Sequence, residues 1–337
     1  ASDVYKRQVW ERTFAVLVSV FVAFAARSRP QTADFTLLFI LWFVAVVVFA
    51  ATLLLPLLAR DHIKFTLSRA EFVALIALLL VAALVRGVRL GDVPFNLSGD
   101  EGTQLLDSFH LLKRPLGNPF ATGWYSVPTM SFLAYGAAMR VFGATIGGGR
   151  ALSVIIGTVT VLTTFILGRT LGGPKVGWSA ALAMAFSSYH IHYSRIASNQ
   201  IFDPLIGTLG IWLLWLALSD DWKSALEHSS MWGLTGIVAG LGWYAYFGAR
   251  WVTFLIVLIL VWRSLLEPHF LVRHRRGLVA FAVGWLIVTL PLWGWYTLHP
   301  TALIERYNVV SIFSSGWLSR EIGVTGKTGL RLSLIHI

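Results

Sequence analysis

Val127-Pro-Thr-Met-Ser-Phe-Leu-Ala-Tyr-Gly-Ala-Ala-Met-Arg-Val-Phe142 decides the fold, because whether this apolar run crosses a membrane sets the side of every segment after it. Other apolar runs, at residues 13–26, 35–59, 72–85, 151–171, 176–190, 201–218, 231–247, 251–266 and 277–298, read as helical spans once their flanks are counted toward the roughly 20 residues a span needs. Residues 127–142 differ, opening beside Pro128 and carrying Arg140 near their end. If they do not cross, the later inside connections hold Arg169, Lys175, Lys223, Arg263, Arg273, Arg275 and Arg276, and those outside hold only Arg195 and Arg250. If they cross, the bias inverts. Lys and Arg gather in short cytoplasmic loops, so 127–142 reads as an interfacial helix on the outer surface. Arg60, Lys64 and Arg69, inside before the third run, agree.

Composition points the same way. Hydrophobic residues make up 56% and charged residues 13% of the chain, with a mean hydropathy of +0.71, which is too apolar for an ordinary soluble domain. An all-α polytopic membrane protein is expected, in contact with membrane lipids. The net charge of +11, from 27 Lys+Arg against 16 Asp+Glu, sits in connections between spans; it reads as membrane orientation, and no nucleic-acid partner is expected. Cysteine is absent, so neither a disulfide framework nor a thiolate metal site can be built. Residues 1–8 and 331–337 resemble translated adapter sequence and are set aside from the fold; the chain then reads as an internal piece of a longer protein.

Three segments fall outside by this count: the long loop 86–150, residues 190–200, and everything after 298. A loop as long as the first is more than a connection. It contains Asp100-Glu101, two carboxylates beside a span, where ionisable groups are costly and therefore candidates for function. Residues 100–113 have helical periodicity, with Leu105, Leu106, Phe109 and Leu112 on one face and Asp100, Thr103, Gln104 and Asp107 on the other. Pro115, Gly117, Pro119 and Gly123 break the helix, and Trp124 and Tyr125 suit the headgroup level. Ser98-Gly-Asp-Glu101 also fits a capping box, with Ser98 as N-cap. Capping and catalysis are compatible, because a carboxylate at the water–lipid boundary is well placed to act as a general base.

An ordered series of short motifs then carries a resemblance. Asp100-Glu101 is followed by Phe142-Gly143 with Arg150, Leu167-Gly-Arg169, His190-Ile-His-Tyr-Ser-Arg195 with Asn199 and Asp203-Pro204, Gly240-Leu-Gly-Trp-Tyr-Ala-Tyr-Phe-Gly-Ala-Arg250, and Arg306 with Val309-Val-Ser-Ile-Phe313. From about residue 72 to 313 this series resembles bacterial members of glycosyltransferase family 39, the dolichyl-phosphate-mannose protein mannosyltransferase and aminoarabinose transferase group of the GT-C superfamily. The resemblance implies a GT-C-type transmembrane helix bundle with outer-face interfacial helices. Residues 9–71 form two extra N-terminal spans, 72–298 the core with its catalytic loop 86–150, and 299–330 the start of a second outer loop. Around 124–129 the lysine of the aminoarabinose transferase pattern is missing, which argues against that sugar.

The resemblance further implies transfer of a sugar from a polyprenyl-phosphate donor to an acceptor, with inversion, at the outer face of a bacterial plasma membrane. Asp100 would be the base and Glu101 its support. Arg195, Arg250 and Arg306 are candidates for the donor phosphate, since a guanidinium binds phosphate through a planar fork and stays ionised. Each has a plainer reading: Arg250 as an interfacial side chain, Arg195 as part of a cap on the sixth span, and Arg306 as a local pair with Glu305. His192, Asp203, Asp107, Trp124 and Tyr125 complete the substrate-binding candidates, with Trp124 and Trp317 able to stack on a sugar. A divalent metal on His190, His192, Asp203 and Asp107 is a further option. Gly326-Lys-Thr328 lacks the first glycine of a phosphate loop, Glu321 standing in its place. The rival reading is a transporter or flippase of lipid-linked or small polar substrates, which would ordinarily show internal repeats and ionisable or Gly/Pro-broken spans near the membrane midplane; no repeat is evident, and the acids cluster in loops.

Overall fold

Hydrocarbon offers no hydrogen bonds, so a spanning segment must satisfy its own backbone, and a helix does this within itself. A computed structural model describes residues 2–58, 67–111, 116–219 and 225–326, and its elements are helices. In chain order they are α1 (Ser2–Ser28), α2 (Thr36–Leu58), α3 (Arg69–Gly87), α4 (Gly99–Leu111), α5 (Thr129–Phe142), α6 (Ile146–Phe186), α7 (Ser188–Ser194), α8 (Phe202–Leu218), α9 (Ala225–Leu241), α10 (Phe247–Leu266), α11 (Phe270–Leu298), α12 (Thr301–Val310) and α13 (Trp317–Thr325). Arg60, Lys64, Lys113, Pro115 and Lys223 lie outside the described residues, as do Ala1 and 327–337.

Among the described residues, seven helical segments are long and apolar enough to cross a membrane: Val9–Ser28, Thr36–Leu57, Arg69–Gly87, Ile146–Phe186, Asn199–Leu218, Phe247–Leu266 and Phe270–Leu298. The protein is an all-α, multi-pass membrane protein. The 41 residues of α6 would reach about 60 Å as one rod, twice the hydrocarbon thickness. They turn back instead at Gly173, whose φ of +78° suits glycine, followed by Pro174. The legs meet closely: a Cβ on Gly168 would lie 3.1 Å from the Cα of Gly177, and Phe165 meets Trp178 edge-on at 5.0 Å. With α6 counted as two legs and the 17-residue α9 added, each apolar run of the sequence has a helix over most of its length, run 231–247 leaving α9 at Leu241. The second leg ends at Phe186, earlier than the apolar run suggested, because Ser187 caps a separate helix α7 that carries His190. At 14 residues, α5 is about 21 Å long and too short to cross.

Helices in lipid associate through close packing of small residues. Here α9 and α11 are locked by Gly236 and Gly284: a Cβ on the first would sit 2.1 Å from the Phe281 carbonyl oxygen, and one on the second 2.4 Å from that of Gly233. The N-terminal spans belong to the same bundle. α1 packs on α2 and α11, and Trp42 of α2 donates its Nε1–H to the Val288 carbonyl at 3.1 Å. Large apolar side chains outside these contacts, such as Trp251, Phe254, Leu258 and Trp262 along α10, are left for lipid. Along the first leg of α6, Arg150 and Arg169 are about 28 Å apart, so they mark the two ends of the bundle.

Candidate active site

The three sequence segments assigned to one side meet at the Arg150 end. Residues of α4, the turn at 124–127, the stretch 192–200, Tyr246 and Arg306 line one pocket of about 230 Å3. Asp100, Glu101, Trp124, His192 and Arg306 from the sequence-derived set are among them.

Asp100 and Glu101 share the first turn of α4 and have opposite environments. Glu101 is 2% exposed, and its carboxylate accepts Arg150 Nε at 2.6 Å, Nη2 at 2.8 Å and the Ala197 backbone N–H at 2.8 Å. Arg150 is itself buried, with Nη1 donating to the carbonyls of Leu90 and Pro94. A buried ion pair is tolerable only when the remaining donors and acceptors are satisfied, as they are here. Only half of the expected capping box forms: Ser98 Oγ accepts the Glu101 N–H at 3.2 Å, while the Glu101 side chain goes to Arg150. Asp100 is exposed to the pocket, and its carboxylate has no hydrogen-bond partner among the described residues.

α4 departs from the soluble-protein expectation for an amphipathic helix by burying polar groups beside Leu105. Its buried face is Glu101, Gln104, Leu105 and Ser108, whereas Leu106 is 60% exposed and Phe109 is exposed with it. Beside a bilayer the apolar face can be covered by lipid, and the polar residues must find partners in protein. Gln104 Nε2 accordingly donates to Asn199 Oδ1 at 3.0 Å. Tyr135 of α5 holds the same stretch, its hydroxyl accepting the Ser198 N–H at 3.1 Å and lying 2.8 Å from the Ser198 carbonyl. Burial raises the Tyr135 pKa and keeps the phenol protonated.

The opposite wall is a strained turn. Tyr125 and Ser126 both have positive φ, 48° and 59°, a conformation costly for residues other than glycine and common at functional sites. α12 holds the turn: Glu305 accepts from Ser126 Oγ, and the Arg306 guanidinium lies 5.7 Å from the Tyr125 ring centroid. Arg306 also donates to Tyr246 Oη at 3.4 Å. Glu305 is thus bonded across to the turn, where the sequence suggested a local pair with Arg306. Trp124 packs edge-on against Tyr125, and its buried Nε1–H has no hydrogen-bond partner among the described residues. His192 meets Tyr193 edge-on at 5.4 Å.

Other candidates lie away from the pocket lining. Arg195 donates to the carbonyls of Val85, Val88 and Val93, closing the end of α3, and its fork is engaged there. Arg250 is 6% exposed at the start of α10 and stacks 4.5 Å from the Phe247 ring, with Trp243 and Tyr296 also near. Asp203 accepts the Ala249 N–H at 2.9 Å, so it caps the start of α10 and does not join the histidines. Asp107 is half-buried, and that burial raises its pKa, His110 opposing the rise. Trp317 opens α13, outside the pocket. His190 Nδ1 lies 3.0 Å from Arg86 Nη2; burial first, and Arg86 second, lower its pKa to about 4. Among the described residues no three His, Cys, Asp or Glu side chains are grouped to hold a metal ion.

Sequence reading did not find the partners that shape the pocket: Arg150 for Glu101, Asn199 for Gln104, Tyr246 for Arg306. Each pair joins distant parts of the chain. Arg150, Asn199 and Tyr246 all stood in the motif series, and their pairing was the missing signal.

Fold and site together define a polytopic, all-α membrane protein with a polar pocket sunk into one end of its helix bundle. The family model for dolichyl-phosphate-mannose-protein mannosyltransferase matches residues 126–295, half of the chain. The chain belongs to this family and is a membrane glycosyltransferase of the family's kind. The matched region holds α5 to most of α11; Asp100, Glu101 and Arg306 lie outside it. No curated protein and no solved structure matches the chain.

Proposed function

We propose that the protein transfers a hexosyl or pentosyl group from a polyprenyl-phosphate-sugar donor to an acceptor hydroxyl of a protein, lipid or glycan, with inversion, at the extracytoplasmic face of a bacterial plasma membrane. The observation that carries this reading is the division of labour in the first turn of α4: Glu101 is locked to Arg150, and Asp100 is left exposed and unpartnered in a pocket shared with Arg306 and His192. In the proposed step the acceptor oxygen attacks the anomeric carbon as the bond from that carbon to the phosphate oxygen breaks. The departing polyprenyl phosphate keeps the electron pair, and Asp100 takes the acceptor proton. A single displacement inverts the anomeric carbon. Arg306 is the pocket cation suited to the negative charge developing on the phosphate. Trp124 offers its unpartnered Nε1–H and ring face to a sugar. Glu101 acts through position: tied to Arg150 and the Ala197 N–H, it holds α4 against residues 197–199 so that Asp100 keeps its aim.

The test is transfer of labelled sugar from polyprenyl-phosphate donors in membranes carrying the protein, with wild type compared with Asp100→Asn. Loss of transfer with unchanged protein level is expected. Equal transfer by the variant would remove Asp100 from the mechanism. Movement of the lipid-linked sugar across the membrane without any glycosyl product would favour a flippase.

A further inference from the structure

At the bundle end opposite the pocket, α1, α2, α9 and α11 part around a crevice of about 540 Å3. Its place follows from α11: Arg276 lines the crevice and lies about 30 Å along the helix from Tyr296, the ring near Arg250. Three guanidinium groups, Arg12, Arg275 and Arg276, share this one cavity with apolar walls from Val16, Phe49, Leu53 and Val283. Arg12 is anchored by donating to Thr52 Oγ1 at 3.2 Å and to the Thr52 carbonyl at 3.0 Å. Arg275 and Arg276 are exposed and have no ion-pair partner among the described residues, and no described carboxylate lines the crevice.

We propose that this crevice binds an anionic phospholipid of the surrounding bilayer, with the headgroup phosphate on Arg275 and Arg276 beside Arg12 and an acyl chain along the Val16, Phe49, Leu53 and Val283 wall. The neighbouring like charges of Arg275 and Arg276 repel until an anion joins them, and a guanidinium fork matches phosphate oxygens with two bonds. A free anion would use only the rim. The apolar wall below it has value only for a ligand carrying both a phosphate and a hydrocarbon chain. The general excess of basic residues on one membrane face accounts for arginines at this end, but not for their meeting at one cavity. The site is independent of the sugar-transfer reading, since it lies across the bundle from the pocket.

The experiment is native mass spectrometry of the detergent-purified full chain after mixing with phosphatidylglycerol, phosphatidylcholine or inorganic phosphate. Wild type should retain phosphatidylglycerol over phosphatidylcholine, and Arg275→Gln and Arg276→Gln should each lower that preference by about fivefold, the usual contribution of one basic residue near an anionic lipid surface. Arg273→Gln, the same charge change on the same helix but outside the crevice lining, should leave it unchanged. Equal loss in Arg273→Gln would reduce the effect to surface charge and overturn the site. Displacement of phosphatidylglycerol by inorganic phosphate alone would make it an anion site and overturn the lipid assignment. Equal retention of both lipids by wild type would end the proposal.

Discussion

The carboxylate of Glu101 receives two arms of the Arg150 guanidinium, Nε at 2.6 Å and Nη2 at 2.8 Å, with each side chain about 1% exposed. This bond joins the first turn of α4 to the start of the first leg of α6. It converts one of two adjacent carboxylates into framework and leaves the other exposed at the pocket.

Removing one partner of a buried pair strands the other charge, at a cost of about 3–5 kcal/mol. Arg150→Met should therefore lower stability by that order in an unfolding titration, and Glu101→Gln with Arg150→Met should recover part of it. A single variant as stable as wild type would show that the pair does not support α4.

Arg306 is half-buried and has one long side-chain hydrogen bond, so truncating it should spare the fold. Arg306→Ala is expected to lower kcat for sugar transfer by about 100-fold, the scale of removing a group that stabilises developing charge. Arg306→Lys should restore a fraction of it. An effect confined to KM would assign Arg306 to ground-state binding.

Because the chain has no cysteine, topology can be read without background. Asn96→Cys, in the loop before α4, should react with a membrane-impermeant thiol reagent applied outside. Lys175→Cys, exposed at the turn of α6, should not. The reverse pattern would invert the orientation and move the pocket to the inner face.

His190 lies on α7, outside the spanning helices, with its folded-state pKa lowered to about 4 by burial and by Arg86. The sign follows directly: the unfolded chain takes up a proton near pH 6.5 that the folded protein refuses until about pH 4. Stability should fall as pH drops through that window, and His190→Gln should fall less. Parallel curves for the two would show that His190 does not carry the dependence.

The Gly236 contact sets the spacing of α9 and α11, since any Cβ there meets the Phe281 carbonyl oxygen. Gly236→Ala should cost about 1–3 kcal/mol, the range for overpacking. Gly323→Ala, with open space around it, should be neutral. Equal stability of both variants would mean that the helices separate freely.

By itself the sequence determined that this protein is a bundle of membrane helices and that residues 127–142 stay out of the spans; it offered Asp100, Glu101, Arg195, Arg250, Arg306, His192, Asp203, Asp107, Trp124 and Tyr125 as site candidates, and only the tertiary structure separated the five that line one pocket from the rest. What the sequence determined resides in local composition: hydrophobic length, helix period, the distribution of Lys and Arg, and the order of short motifs. Only the tertiary structure decided what each polar group does with its hydrogen bonds. Arg195 closes α3, Asp203 caps α10, Glu101 is tied to Arg150, and α4 buries Glu101, Gln104 and Ser108 while Leu106 faces outward. A side chain's partner is set by which distant segments the bundle brings within 3 Å, and in a bilayer the need to satisfy buried polar groups overrides the burial pattern expected in water.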